Sequence, residues 1–265
     1  MPTIAQISDL HFGRQSVPVM ESLLISLAQN HPDLVVVSGD LTQRARSSEF
    51  AEARRFLDRI ERPKLVVPGN HDLPLYNLAD RLLRPLRNYN RFIGPVDQPA
   101  GFYTNEKLAV LGLNTSRRLT RKNGRISIEQ IASIRKLFAT VPPDAFKAVV
   151  THHPFAPSAG DAGAELAERS GPAMEALASA GVRLLMSGHH HIAGSGEWIE
   201  MTTRRSLLIV HAGTAVSTRL RGGEGNSYNL VTIGRDSVTV RILEWSSGQG
   251  FEVKKESRHM IEANA

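Results

Sequence analysis

The chain has 265 residues, enough for one sizeable α/β core, and its 41% hydrophobic and 22% charged residues are those of a soluble globular protein. It has no cysteine, which excludes disulfides, thiolate metal sites and cysteine nucleophiles; any metal must be held by His, Asp, Glu, Asn or backbone oxygen. The net charge of +6 favours anionic substrates and is compatible with nucleic acid or an anionic membrane surface.

The basic residues are interleaved with acids, as in Glu49–Lys64, which reads as a solvated amphipathic helix. The N-terminus lacks a basic segment followed by a long apolar run, and no apolar stretch approaches the roughly 20 residues of a membrane span. The expected location is the cytoplasm.

The opening stretch Ile4–Gly13 is an apolar run leading into Asp9-Leu10-His11. If extended, side chains two apart point the same way, so Asp9 and His11 can share a target. A helix over Val19–Asn30 and a buried strand over Leu34–Ser38 follow, the strand ending in Gly39-Asp40. A second helix covers Ser47–Ile60, and a strand over Leu65–Val67 ends in Gly69-Asn70-His71-Asp72. This β-α-β-α-β rhythm predicts a right-handed, mainly parallel sheet.

Residues 73–101 break the rhythm and read as a helical, cap-like insertion, with Leu78, Leu82 and Leu86 at helical spacing. It would form a wall or lid of a substrate pocket, bringing Tyr76, Arg81, Arg84 or Arg87 near the ligand, or pack as an ordinary helix. Strands are expected at Phe102–Thr104 and Leu108–Leu113, then a helix over Ser127–Ala139 capped by Ser127. A strand over Ala148–Val150 ends in Thr151-His152-His153-Pro154, and Phe155–Ser170 reads as a small-residue loop. A helix over Gly171–Ala180 precedes a strand, Val182–Met186, which ends in Gly188-His189-His190-His191. Leu207–Val210 leads to His211, expected to be structural, and Ser217–Asn226 is a loop. Tyr228–Ile233 and Ser237–Glu244 alternate around Gly234-Arg235-Asp236, a hairpin signal. One domain over 1–245 and a frayed polar tail over 246–265 are expected.

Seven of the ten histidines lie in these strand-end motifs, a clustering that scattered histidines would not give. Ligands of open α/β sheets bind outside the carboxyl ends of the strands, so the donors would gather on one rim of the sheet. The set is Asp9, His11, Asp40, Asn70, His152, His189 and His191. Seven donors with a central carboxylate suit two ions bridged by Asp40, and two ions about 3.5–4 Å apart clamp a phosphoryl group. Gly39, Gly69 and Gly188 precede donors, where the chain must turn sharply or approach a metal closely.

The motifs Asp9-Leu10-His11, Gly39-Asp40, Gly69-Asn70-His71-Asp72, His152 and Gly188-His189-His190-His191 occur in the order found in the calcineurin-like metallophosphoesterases. The chain resembles that family over roughly Ile4–Ile242. It is similar in particular to the cyclic-nucleotide-phosphodiesterase-like branch, through Gly213–Arg219 and Asn226–Asn229. The resemblance implies an α/β fold of two packed mixed β-sheets flanked by helices, an α-β-β-α sandwich. It also implies two divalent or mixed-valent ions, such as Mn, Fe, Zn, Mg or Co. Asp9, His11 and His191 would hold one ion and Asn70, His152 and His189 the other, with Asp40 bridging. His71 would be the catalytic acid or transition-state stabiliser, and Asp72 would accept a neighbouring histidine N–H.

The expected reaction is hydrolysis of a small phosphodiester by a metal-bridged hydroxide attacking in line. Arg14, Asn114, Arg117, His153, His190 and Arg219 are candidate substrate contacts. The rival readings are a phosphomonoesterase or a pyrophosphate hydrolase on a lipid-linked nucleotide, then a nuclease, then a non-catalytic protein-binding scaffold. The nuclease is disfavoured because no extended arginine-aromatic track is visible. The scaffold is disfavoured because no ligand position is lost. The sequence sets no oligomeric state.

Overall fold

In a computed structural model, the described residues are 1–96, 101–120, 122–157, 165–199 and 206–261. The first sheet has the order β12-β11-β10-β1-β2-β3. Its strands are β1 (Thr3–Ile7), β2 (Leu34–Val37), β3 (Lys64–Val66), β10 (Ser227–Ile233), β11 (Ser237–Ser246) and β12 (Gly250–Met260). β1, β2 and β3 are parallel, as the β-α-β-α-β rhythm predicts, and β10 runs antiparallel to β1. The second sheet has the order β4-β5-β6-β7-β9-β8. It comprises β4 (Gly101–Thr104), β5 (Leu108–Gly112), β6 (Phe146–Val150), β7 (Leu184–His191), β8 (Gly194–Ile199) and β9 (Ser206–Gly213). β5, β6, β7 and β9 are parallel, with antiparallel strands at both edges.

Period-2 alternation sorts the side chains into layers. Ile4, Leu34 and Val36 face Val110, Ala148, Val150, Leu184 and Met186 of the other sheet and form the core between the two. Their neighbours Ala5, Ile7, Val35 and Val37 point outward into a cluster with Leu23 and Leu27 of α1 (Val17–Asn30) and Phe50 and Phe56 of α2 (Ser47–Asp58). On the far side, Leu111, Val149 and Leu185 pack against Ile134 and Phe138 of α5 (Ile128–Phe138) and Met174 and Leu177 of α6 (Ser170–Ser179). Helix, sheet, sheet, helix is thus the layer order. Ser127 caps α5 reciprocally with Gln130. The buried Gln6 donates to the Ser187 carbonyl at 2.9 Å, joining the sheets through a polar contact.

The insertion after β3 holds two short helices, α3 (Leu78–Leu83) and α4 (Arg87–Phe92). Leu78 and Leu82 are exposed, while Leu86 packs on the core, so helical spacing alone did not define a buried face. Residues 97–100 of the expected insertion and 158–164 of the expected loop lie outside the described residues.

Two strands depart from expectation. The segment read as a frayed tail forms β12, which pairs with β11 from Ser237↔Met260 to Ser246↔Gly250; the polarity of Lys254-Lys255-Glu256 marks an edge strand rather than a loose end. Residues 262–265 lie outside the described residues. Glycine-rich β8 pairs with β9 and carries no hydrophobic alternation that would reveal it. No helix among the described residues is long and apolar enough to cross a membrane.

Candidate metal centre

Five strand ends converge on one rim, three from the first sheet and two from the second. Asp9 and His11 follow β1, Asp40 follows β2, and Asn70 and His71 open a single 3-10 turn (Asn70–Asp72) after β3. His152 follows β6, and His189 and His191 end β7. The expected rim of one sheet is therefore a rim shared by two.

The opening stretch does not stay extended. Asp9 and His11 have φ of 52° and 45°, and Asp40, His189 and His191 are also left-handed at 52°, 75° and 65°. Each such residue costs of order 1–2 kcal/mol in backbone energy. Asp9 and His11 still converge, because Asp9 N–H and His11 N–H bond to the carbonyls of Gly39 and Asp40. Among the three glycines, only Gly39 uses a positive φ, +93°. Gly69 serves close approach instead: a Cβ there would lie 2.1 Å from Asp40 Oδ1.

Asp9 Oδ2 accepts from Ser8 Oγ at 2.6 Å and His189 N–H at 3.1 Å. Its Oδ1 faces His191 Nε2 at 3.3 Å and His11 Nε2 at 3.6 Å. Asp40 Oδ1 lies 3.4 Å from His152 Nε2 and accepts from His71 N–H, while Oδ2 lies 3.8 Å from His11 Nε2. Asn70 Oδ1 is 3.1 Å from both His152 Nε2 and His189 Nδ1. The Ser38 carbonyl accepts from His152 Nδ1–H at 2.7 Å, which turns the Nε2 lone pair into the rim. His191 Nδ1 is held by Thr214 Oγ1 at 2.7 Å, with Nε2 toward Asp9.

Burial opposes the charge on Asp9 and Asp40, but the histidines around them hold both carboxyls below the usual range: chiefly His191 for Asp9, and His152 then His71 for Asp40. Burial likewise works against charge on His152, yet Asp40 raises it to about 9. Burial and then His152 push His189 down to about 3.

These residues fit a cation. Asp9 Oδ1 and His11 Nε2 are fully buried with no hydrogen-bond partner, an arrangement costly without an ion. Asp9, His11 and His191 form one group able to hold a metal, and Asp9, Asp40 and His152 another. A third group joins His153 to His152 and His189.

His153, a candidate substrate contact, is buried, with Nδ1 on Thr115 Oγ1 and its ring 4.7 Å from that of His189. Half-buried His190 lies between the rings of His189 and His211. Arg219 reaches the rim, its Nη1 2.9 Å from His71 Nε2. Arg14 is exposed and fixes the Arg219 loop through its carbonyl, which accepts from Thr218 N–H. Arg117 is turned onto Gln130 Oε1, and Asn114 Oδ1 caps Ser116 N–H, so both side chains organise the turn after β5. Arg81 is buried on the carbonyls of Pro74, Arg118 and Thr120. Asp72 accepts no histidine N–H; it binds the N–H groups of Gly69, Leu41 and Thr42, tying the β2 and β3 loops together. Sequence reasoning assigned no role to Ser8, Thr214 or the Gln43 carbonyl, which orient the rim residues; adjacency to the Asp9 motif signals Ser8, and Thr214 lies in the Gly213–Arg219 stretch.

Residues 2–193 match the model of the calcineurin-like phosphoesterases. The chain belongs to that family. Similar curated proteins are a probable cyclic nucleotide phosphodiesterase of Synechococcus sp., 31% identical over 81 residues, and the glycerophosphodiester phosphodiesterase GpdQ of Enterobacter lignolyticus, 34% identical over 80. The matched stretches cover 27% and 26% of this chain and 32% and 29% of those relatives, about a third of their length. Among solved structures, a dimetal phosphatase from Danio rerio superposes with a TM-score of 0.69 at 13% identity, covering 98% of this chain and 99% of that one. A purple acid phosphatase from yellow lupin gives 0.69 at 14% identity, over 98% of this chain and 54% of that one. At these identities the structural likeness shows the metallophosphoesterase fold.

Proposed function

We propose that this calcineurin-like phosphoesterase hydrolyses small phosphodiesters with two divalent ions. The observation that carries the reading is Asp40: one carboxylate oxygen faces His152 and the other faces His11, as a bridging ligand requires. In the proposed assignment, Asp9, His11 and His191 hold one ion and Asn70, His152 and His189 the other. Bound ions of this kind supply a water-derived nucleophile at neutral pH and neutralise phosphoryl charge.

The chain's own residues do the rest. The Ser38 carbonyl accepts from His152 Nδ1–H and the Arg219 carbonyl from His191 Nδ1–H, which fixes both tautomers. Arg219 is the donor to a phosphoryl oxygen. The Gln43 carbonyl accepts from His71 Nδ1–H at 2.9 Å, leaving Nε2 to face Arg219. His71 is the proposed proton donor to the leaving oxygen; once Arg219 has turned to the substrate, its Nε2 takes a proton from solvent water and passes it to that oxygen. The diester preference rests on the names of the two curated relatives and on the Gly213–Arg219 loop, whose Arg219 lies at the rim.

The test is metal analysis together with turnover of a chromogenic diester, a monoester, a cyclic nucleotide and single-stranded DNA. Two ions per chain and a preference for a small diester are expected. A metal-free protein that still turns over the diester would overturn the mechanism, and a preference for the monoester or for DNA would overturn the substrate class.

A further inference from the structure

A cavity of about 250 Å³ lies between the N-terminal end of α2 and the helices α3 and α4. Arg84, Arg87 and Arg91 line it, with Ser47. Arg87 and Arg91 are four apart on α4, hence on one face, and Arg84 ends α3. Elsewhere Arg54, Arg59 and Arg241 each face a carboxylate. Among the described residues, the three guanidiniums at the cavity form no ion pair; that of Arg91 lies 5.2 Å over the Phe92 ring.

Two carboxylates also border the cavity, and both are engaged. Asp72 is saturated by backbone N–H groups and Thr42 Oγ1, and Asp80 accepts from Asn77 Nδ2 at 2.7 Å. The three guanidiniums outnumber the two carboxylates, which bond only to neutral donors, so the concavity keeps a positive excess and its guanidiniums repel each other. An anion of the phosphate type relieves that repulsion and accepts hydrogen bonds from several guanidiniums at once. The cavity shares a wall with the rim, since Asp72 borders it and Asn70 and His71 begin the same turn.

We propose that this cavity is a second anion site, for a phosphate-type group, set beside the metal centre by the Asn70–Asp72 turn. The group has two sources: a further phosphate on the substrate, or a free phosphate ion. The substrate source rests on the reading under Proposed function; anion binding itself does not.

The experiment titrates inorganic phosphate into the metal-loaded protein by calorimetry. Wild type is compared with Arg84→Ala/Arg87→Ala and, as a control of equal charge change, Arg54→Ala/Arg59→Ala. All four arginines are exposed, and thermal melts check that the folds are intact. Two classes of phosphate site in the wild type and the control, and one in Arg84→Ala/Arg87→Ala, are expected. Identical binding by all three proteins, or equal loss in both variants, overturns the proposal.

Kinetics then separate the sources. A rise in KM of about tenfold in Arg84→Ala/Arg87→Ala for a diester carrying a further phosphate, with none for a diester lacking it, assigns the site to the substrate. Unchanged KM values alongside lost phosphate binding assign it to the free ion. If the wild type hydrolyses neither ester, calorimetry alone decides the cavity, and the phosphoesterase reading is what fails.

Discussion

Arg219 Nη1 lies 2.9 Å from His71 Nε2, and the backbone carbonyl of Arg219 lies 3.2 Å from Nδ1 of His191. One residue thus touches both the candidate acid and a candidate metal ligand. Because the Gln43 carbonyl accepts a hydrogen bond from His71 Nδ1–H, Nε2 is the acceptor in this pair. Burial, more than any neighbouring charge, lowers the His71 pKa from its ordinary value.

Arg219→Ala should lower kcat by about a hundredfold, the usual loss when one preorganised donor to developing charge is removed. Metal content should be unchanged, since the carbonyl remains. Steady-state kinetics and elemental analysis of the same preparation check this.

Asp40→Ala should abolish loading of both ions and with it turnover. His11→Ala should weaken one ion selectively, bringing the stoichiometry from two toward one. Metal titration followed by elemental analysis distinguishes the two outcomes.

Gly69→Ala tests the close approach. The added methyl cannot coexist with Asp40 Oδ1 at 2.1 Å, so the carboxylate must move. The expected result is loss of metal binding together with a stability loss of about 1–3 kcal/mol, read from chemical denaturation.

His211 gives a pH dependence. Burial, helped by the nearby His190, pushes its imidazole down to about 4, against roughly 6.5 in an unfolded chain. The unfolded state therefore binds the extra proton between those values, and stability falls as pH drops through that window. Between pH 7.5 and 5 this one group should remove about 2 kcal/mol. His211→Asn, which can still meet Ser187 Oγ, should flatten the slope by that amount in urea unfolding of metal-depleted protein.

Much of the layout was legible because strand ends in α/β proteins are where side chains leave the sheet. The rim positions of Asp9, Asp40, Asn70, His152 and His189 could be read from the short apolar runs that precede them. The division between two sheets was not, since local patterning says nothing of which sheet a strand joins; only the family resemblance implied it. The left-handed backbone at Asp9 and His11 was hidden because aspartate and histidine advertise no such conformation, unlike the glycine at Gly39. β12 was missed because an edge strand needs charge to stay unpaired, and that charge reads as a loose end. The orientation of Arg117 depended on Gln130, sixteen residues beyond Asn114 and one turn into a helix, a distance no motif spans.

The rim draws its first donors from residues 9–71 and its remainder from 152–191, and the turn at Asn105-Glu106-Lys107 lies between them. Cutting the chain at that turn would leave four of the seven candidate donors on one fragment and three on the other. Recovery of metal affinity on mixing would then report docking of the two pieces, making the protein a candidate split reporter whose signal is the ion itself.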